Sequence, residues 1–205
     1  MSLIELPLAV GELVLRLILL LGLVLHKVVW EVMKTGEQAP KRADHTSTRS
    51  PKSLFKSLIK LGKIFVLAFL VVQTIALNVL PISAQPAGII LVGLFIYLAG
   101  LTLSITARVQ LGKNWANIED YQVITGQSLV QSGVYQYIRH PIYIGDILLL
   151  LGLELALNSW LVLGVIPLAL IVFKQAKTEE SLLSQKLPDY RAYQTRTKMF
   201  IPFVF

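Results

Sequence analysis

Long apolar stretches alternate with short polar ones along this chain, and their order predicts a bundle of membrane helices. Residues 6–30 form the first run and carry Glu12 and Arg16 four positions apart. On a helix that spacing lets the two pair, which softens the cost of charge in an apolar surrounding. Residues 61–80 and 87–107 form the second and third runs, on either side of an uncharged turn at 81–86. Shorter runs follow at 142–157 and 160–173, divided by Asn158 and Ser159, as in a helical hairpin. The last helix is expected to continue to about Leu187, where Pro188 ends it because proline cannot extend the hydrogen-bond ladder. A crossing takes roughly 20 apolar residues. The pattern therefore predicts an all-α integral membrane protein with five transmembrane helices and a C-terminal helical tail. Between the third and fourth runs, short alternating segments around Thr125 and Gly126 predict a small β-hairpin. The chain divides into residues 1–107, with three helices and a basic loop at 34–60, and residues 108–205, with the polar loop, two helices and the tail.

Charge gives this layout an orientation. Lys34, Lys41, Arg42, Arg49, Lys52, Lys56, Lys60 and Lys63 cluster after the first run, whereas the turns at 81–86 and 158–159 hold no Lys or Arg. Basic residues favour the cytoplasmic side. Five crossings with the N-terminus outside put every basic loop, the segment before residue 142 and the tail in the cytoplasm. Residues 38–53, rich in Pro, Ser, Thr and Lys, are expected to be a mobile loop there. The first 12 residues contain no Lys or Arg, so a cleaved signal is not expected.

Composition narrows the chemistry. The chain is 55% hydrophobic with a mean hydropathy of +0.67, too apolar for an ordinary soluble domain. Its net charge of +7 sits beside membrane segments, which argues against a nucleic-acid partner. With no cysteine there is no thiolate nucleophile or disulfide, and three scattered histidines (His26, His45, His140) predict no metal site.

The candidate chemistry concentrates at residues 133–145, which hold Tyr135, Tyr137, Arg139, His140, Pro141, Ile142, Tyr143 and Gly145. Pro141 suits the first turn of a helix, where its missing N–H costs nothing and its fixed φ helps. That turn's free N–H groups and dipole favour an anion, and Arg139 and His140 sharpen the preference. Glu179 and Glu180, on the helix leaving the membrane, emerge on the same face of the bilayer and offer two carboxylates. One end suits a carboxylate and the other an ammonium or sulfonium, the layout of a zwitterionic amino-acid cofactor such as S-adenosylmethionine. The competing structural reading pairs Glu179 and Glu180 with Lys174 or Lys177 on a solvated helix face. In the fourth run, Asp146 lies one turn inside the helix start and can complement the dipole, while Glu154 is expected near the outer end, within reach of water.

Gly133, Val134 and Tyr135, then Arg139 through Gly145, then Glu179 and Glu180, then Tyr190 and Tyr193 with Ile201 and Pro202, together resemble the isoprenylcysteine carboxyl methyltransferase family. Phospholipid N-methyltransferases are similar at a greater distance. The resemblance covers residues 111–202 and makes residues 108–205 the methyltransferase cofactor-binding region. It implies S-adenosylmethionine at the cytoplasmic face and a lipidic acceptor, such as a prenylated molecule with a carboxylate, reached from the bilayer. By matching positions it implies cofactor contacts at Gln127, Ser128, Leu129, Val130, Tyr135, His140, Pro141, Ile142, Tyr143 and Glu179. Substrate contacts would fall to Arg139, Gln175, Glu180, Tyr193 and Arg196. Prenylcysteine enzymes tend to carry an arginine about one turn before the glutamates; Gln175 stands there, flanked by Lys174 and Lys177.

A carboxylate acceptor is ionised at neutral pH and needs no general base, whereas an amine would need deprotonation, with Glu180 or Tyr193 the candidates. Two other functions share parts of this pattern. A membrane NADPH-dependent sterol or isoprenoid reductase would use Arg139, His140 and a tyrosine near Gly145 and Asp146. A non-enzymatic membrane scaffold would use the motif only to shape loops.

Overall fold

The structure, a computed structural model, describes residues 5–35, 51–76, 79–114 and 128–201. The segment around Thr125 and Gly126, where the sequence predicts a hairpin, lies outside these residues, as do Gln127 and most of the basic loop. The described α-helices are α1 (Glu5–Thr35), α2 (Pro51–Ala76), α3 (Ala87–Leu111), α4 (Pro141–Ala156), α5 (Val165–Lys186) and α6 (Tyr190–Arg196). Short 3₁₀ turns at Gly112–Asn114, Gly133–Gln136 and Trp160–Gly164 join them. No strand occurs among the described residues; two isolated bridges, Pro81 with Ser159 and Ile138 with Lys198, are the only sheet-like pairs there.

Each of the five apolar runs contributes a helix, but among the described residues three helices are long and apolar enough to cross a bilayer: Val10–Met33, Ala87–Leu111 and Trp160–Lys186. α2 begins at Pro51, ten residues ahead of the apolar run, and its apolar part is Ile64–Ala76. α4 has 16 residues, or about 24 Å of rise, against a hydrocarbon core of about 30 Å. It stops because Asn158 takes a positive φ of 53°, a conformation asparagine tolerates, and the chain reverses into the 3₁₀ turn.

The core is the seam between α3 and α4. Gly145 lets α4 approach until a Cβ there would sit 2.6 Å from the backbone N of Ser104, and Gly152 lies as tightly against the backbone of Tyr97. Membrane helices gain little from hydrophobic exclusion, so such close contact is a main source of association. α1 runs parallel to α3 and is tied to it by polar groups. The Tyr97 hydroxyl donates to Leu19 O at 2.6 Å, and Arg108 lies 6.0 Å from the centre of the Trp30 ring.

The intramembrane carboxylates are satisfied from neighbouring helices. Asp146 Oδ1 accepts from Ser104 Oγ at 2.5 Å and lies 3.0 Å from His26 Nε2, so it bridges three helices as well as lying near a helix start. Glu154 does not reach water as the sequence reading expects. It is 5% exposed and accepts a bond from Gln73 Nε2 at 2.8 Å, because α2 packs an amide over the end of α4.

Candidate active site

The site forms where the chain enters α4. Pro141 is the first helical residue, and His140 precedes it with a non-helical φ of −121°. Upstream, the 3₁₀ turn Gly133–Gln136 aims the Tyr135 ring inward, where its hydroxyl donates to Ala107 O at 3.3 Å. Downstream, the residues after α6 return to the same place. Arg139 N donates to Lys198 O, His140 N to Met199 O, and Lys198 N to Tyr137 O, at 2.8, 3.2 and 3.1 Å. The tail is thereby strapped along the segment that opens α4.

Glu179 and Glu180, adjacent in sequence, do different jobs. Glu180 faces inward with its side chain 10% exposed. Its Oε1 accepts from Arg139 Nε at 2.5 Å and lies 3.2 Å from His140 Nε2, while Oε2 accepts from Gln194 Nε2 at 3.1 Å. Arg139 also donates through Nη1 to Thr197 O at 2.5 Å, so one guanidinium joins α5, the tail and the start of α4. Glu179 is 40% exposed and only partly engaged, accepting from the Tyr143 hydroxyl at 2.8 Å with His140 Nδ1 at 3.8 Å. Lys177, one of the two lysines that could pair with these carboxylates, turns elsewhere: its Nζ lies 4.5 Å over the Phe173 ring.

Around Glu179 lies an open pocket of about 750 Å³, mouth included. Ser128, Leu129, Val130, Tyr135, His140, Pro141, Ile142, Tyr143 and Glu179 all line it, as do Arg139 and Tyr193. Glu180 lies behind the wall as its anchor. Gln175 is one turn before Glu179 on α5 and does not line the pocket, and Arg196 points to Gln131 Oε1 at 3.0 Å. The sequence alone assigns no role to Leu111, Asn114, Leu183 and Leu187, which also form the wall, as does Tyr190 of the tail motif. Two of them carry a signal in the sequence, since Glu179, Leu183 and Leu187 recur every four residues and so share one helix face. Asn114 Oδ1 accepts from Ser128 N at 2.8 Å and from Ser128 Oγ at 3.0 Å, fixing Ser128 at the edge of the pocket.

Tyr135, Tyr143 and Tyr193 each donate a hydroxyl within the site. Tyr193 donates its hydroxyl to Tyr135 O at 2.6 Å, and burial pushes its pKa up to about 12. Burial also raises Tyr135 and Tyr190. Both oxygens of Glu180 are taken up by Arg139, His140 and Gln194, so Glu180 and Tyr193, the candidate bases for an amine acceptor, are both committed to holding the wall.

A helix start, a partly open carboxylate and apolar flanks thus meet at one pocket of an integral membrane protein. Comparison with known proteins adds a family likeness. Residues 89–189 match the phospholipid methyltransferase family. A protein-S-isoprenylcysteine O-methyltransferase of Xenopus laevis is 29% identical over 134 residues, covering 64% of this chain and 46% of the relative. That of Schizosaccharomyces pombe is 30% identical over 108 residues, covering 51% and 46%. The cobalt-zinc-cadmium resistance protein CzcN of Cupriavidus metallidurans is 36% identical over 77 residues, covering 37% and 36%. The chain thus spans less than half the length of these curated relatives. Among solved structures, a eukaryotic intramembrane Ras methyltransferase, isoprenylcysteine carboxyl methyltransferase, shares the fold with a TM-score of 0.56 at 22% identity, over 88% of this chain and 63% of that one. Residues 89–189 thus carry the phospholipid methyltransferase pattern, and this chain is similar to the isoprenylcysteine carboxyl methyltransferases in sequence and in fold.

Proposed function

We propose that this protein is a membrane methyltransferase that takes a methyl group from S-adenosylmethionine and places it on a lipidic acceptor, a prenylcysteine-type carboxylate or a similar group. The observation that carries this reading is Glu179. Its carboxylate is held by Tyr143 yet stays partly open to the pocket, opposite the first turn of α4. A cationic methionyl end fits Glu179, and the anionic end fits the helix start beside His140 and Pro141. Ile142, Leu183 and Leu187 supply apolar wall for a purine ring. Bound there, S-adenosylmethionine would supply a sulfonium-activated methyl group.

The residues of this chain then orient and desolvate the reacting groups. Arg139 and Glu180 hold the wall in place, and the tail covers the pocket and limits water. A carboxylate acceptor needs no base, which agrees with the commitment of Glu180 and Tyr193 to structural bonds. The acceptor would approach from the bilayer between helices, because each buried methylene avoids a cost of about 0.8 kcal/mol. The distribution of Lys and Arg supports five membrane passes, with the N-terminus outside and the pocket and tail cytoplasmic.

Titration of the purified protein with S-adenosylhomocysteine and, separately, with NADPH tests the reading. Saturable binding of the first alone is expected, together with methyl transfer that is faster to a prenyl-length acceptor than to its short, soluble version. Binding of NADPH alone overturns the donor, and equal rates on both acceptors overturn the lipid route.

A further inference from the structure

A second cavity lies at the other end of the bundle. On α3, Leu111 lines the candidate active site and Ile90 lines this cavity; the helical rise puts them about 31 Å apart. That matches the thickness of a bilayer's hydrocarbon core, about 30 Å, so the two cavities lie level with opposite leaflets. The second one measures about 1310 Å³, mouth included, and its apolar wall includes Leu15, Pro81, Ile90 and Leu157.

Its polar wall is Asn158, whose amide is engaged by the Ser83 main chain, and the charged pair Glu12 and Arg16. Arg16 donates through Nε and Nη2 to Glu12 Oε1 at 3.1 and 2.7 Å, and through Nη1 to Thr74 O at 2.6 Å. These bonds fix the guanidinium between α1 and the end of α2, with its side chain 16% exposed, while the Glu12 side chain is 56% exposed. Charges this far into an apolar helix are costly and mark sites that use them.

We propose that this cavity binds one zwitterionic phospholipid of the leaflet opposite the candidate active site, its phosphate beside Arg16 and its ammonium beside Glu12. The charges select the headgroup. An anionic headgroup meets the Glu12 carboxylate, a cationic one meets the Arg16 guanidinium, and a zwitterion satisfies both. The apolar wall selects a lipid over a soluble zwitterion, since α1 continues from the pair with exposed Leu17, Leu21 and Val24 against which an acyl chain can lie. This lipid is not the methyl acceptor, because reacting atoms must approach to about 3 Å. The inference does not depend on the methyltransferase reading.

Native mass spectrometry of the full chain in detergent tests it, with phosphatidylcholine, phosphatidylglycerol and glycerophosphocholine as probes. Phosphatidylcholine is expected to be retained about tenfold more strongly than phosphatidylglycerol, and glycerophosphocholine not at all. Glu12→Gln keeps the shape and removes the negative charge, and should reverse the preference toward phosphatidylglycerol. Gly11 lines the cavity, and a Cβ there meets nothing within 4 Å. Gly11→Trp should therefore occupy the space and lower phosphatidylcholine retention about tenfold, with S-adenosylhomocysteine binding unchanged from the parent. Equal retention of the two lipids by the parent, tight retention of glycerophosphocholine, or unchanged retention by Gly11→Trp each overturns the proposal.

Discussion

Arg139 Nε donates to Glu180 Oε1 at 2.5 Å, joining two residues 41 positions apart, each with its side chain 10% exposed. Removing one partner leaves the other charge buried without compensation, which typically costs about 3–5 kcal/mol. Glu180→Gln and Arg139→Gln are each expected to lower the thermal midpoint and to make the chain beyond residue 187 sensitive to protease. The double variant should lose less than the sum of the singles. Strict additivity in that cycle would show that the pair does not couple α5 to the start of α4.

Glu179, its neighbour, should behave differently. Glu179→Gln is expected to leave the fold intact and to weaken S-adenosylhomocysteine binding by about 1.5–3 kcal/mol, the range for a charge-assisted hydrogen bond. Tyr143→Phe removes the hydroxyl that orients Glu179 and should cost about 1 kcal/mol of the same affinity. Calorimetric titration checks both, and unchanged affinity in a folded Glu179→Gln protein would remove that residue from the cofactor site.

The α3–α4 seam gives a packing prediction. Gly145→Val places a branched side chain against the Ser104 backbone, where even one Cβ comes within 2.6 Å. Overpacking costs about 1–3 kcal/mol when neighbours can shift, and more against backbone that cannot. Gly164→Ala, whose Cβ meets nothing within 4 Å, is the matched control. Monodispersity in detergent should fall for the first and hold for the second; equal behaviour would count against the seam.

Alkaline pH should release the tail. Burial raises Tyr193 from its ordinary value of 10.0 to about 12, and raises Tyr135 and Tyr190 as well. A raised folded value contributes stability that is complete below pH 10 and is lost as pH rises through about 12. Protease cleavage beyond residue 187 should therefore appear only above pH 10, in step with tyrosinate absorbance. Release well below that pH would assign the docking to other groups.

Orientation can be read chemically, because the chain has no cysteine of its own. Gln85, in the turn before α3, is exposed, so Gln85→Cys should react with an impermeant maleimide added outside intact cells. Labelling only after permeabilisation would reverse the proposed topology.

The helices were legible in the sequence because an apolar run of membrane length has few other solutions. Their ends were less so: α2 starts at Pro51, inside a stretch that reads as loop by charge, since helix formation there does not require an apolar face. The motif from Arg139 to Tyr143 lines the candidate pocket, but the sequence does not reveal the division of labour between Glu179 and Glu180. Adjacent helical positions point about 100° apart, and only the packing of the tail decides which of the two faces Arg139. The burial of Glu154 was hidden for the same reason, because its partner, Gln73, lies 81 residues away.

The strap between the tail and the start of α4 is made of main-chain groups: Lys198 gives its carbonyl and N–H, and Met199 gives its carbonyl. Main-chain bonds are blind to side-chain identity. Both positions are therefore open to evolutionary drift so long as residue 198 keeps an N–H, and proline is the one natural residue barred from it. Arg139, whose side chain gathers α5 and the tail at once, has no such latitude. Selection along this strap should thus be lopsided, strict at Arg139 and lax at positions 198 and 199, although the main-chain bonds set them side by side.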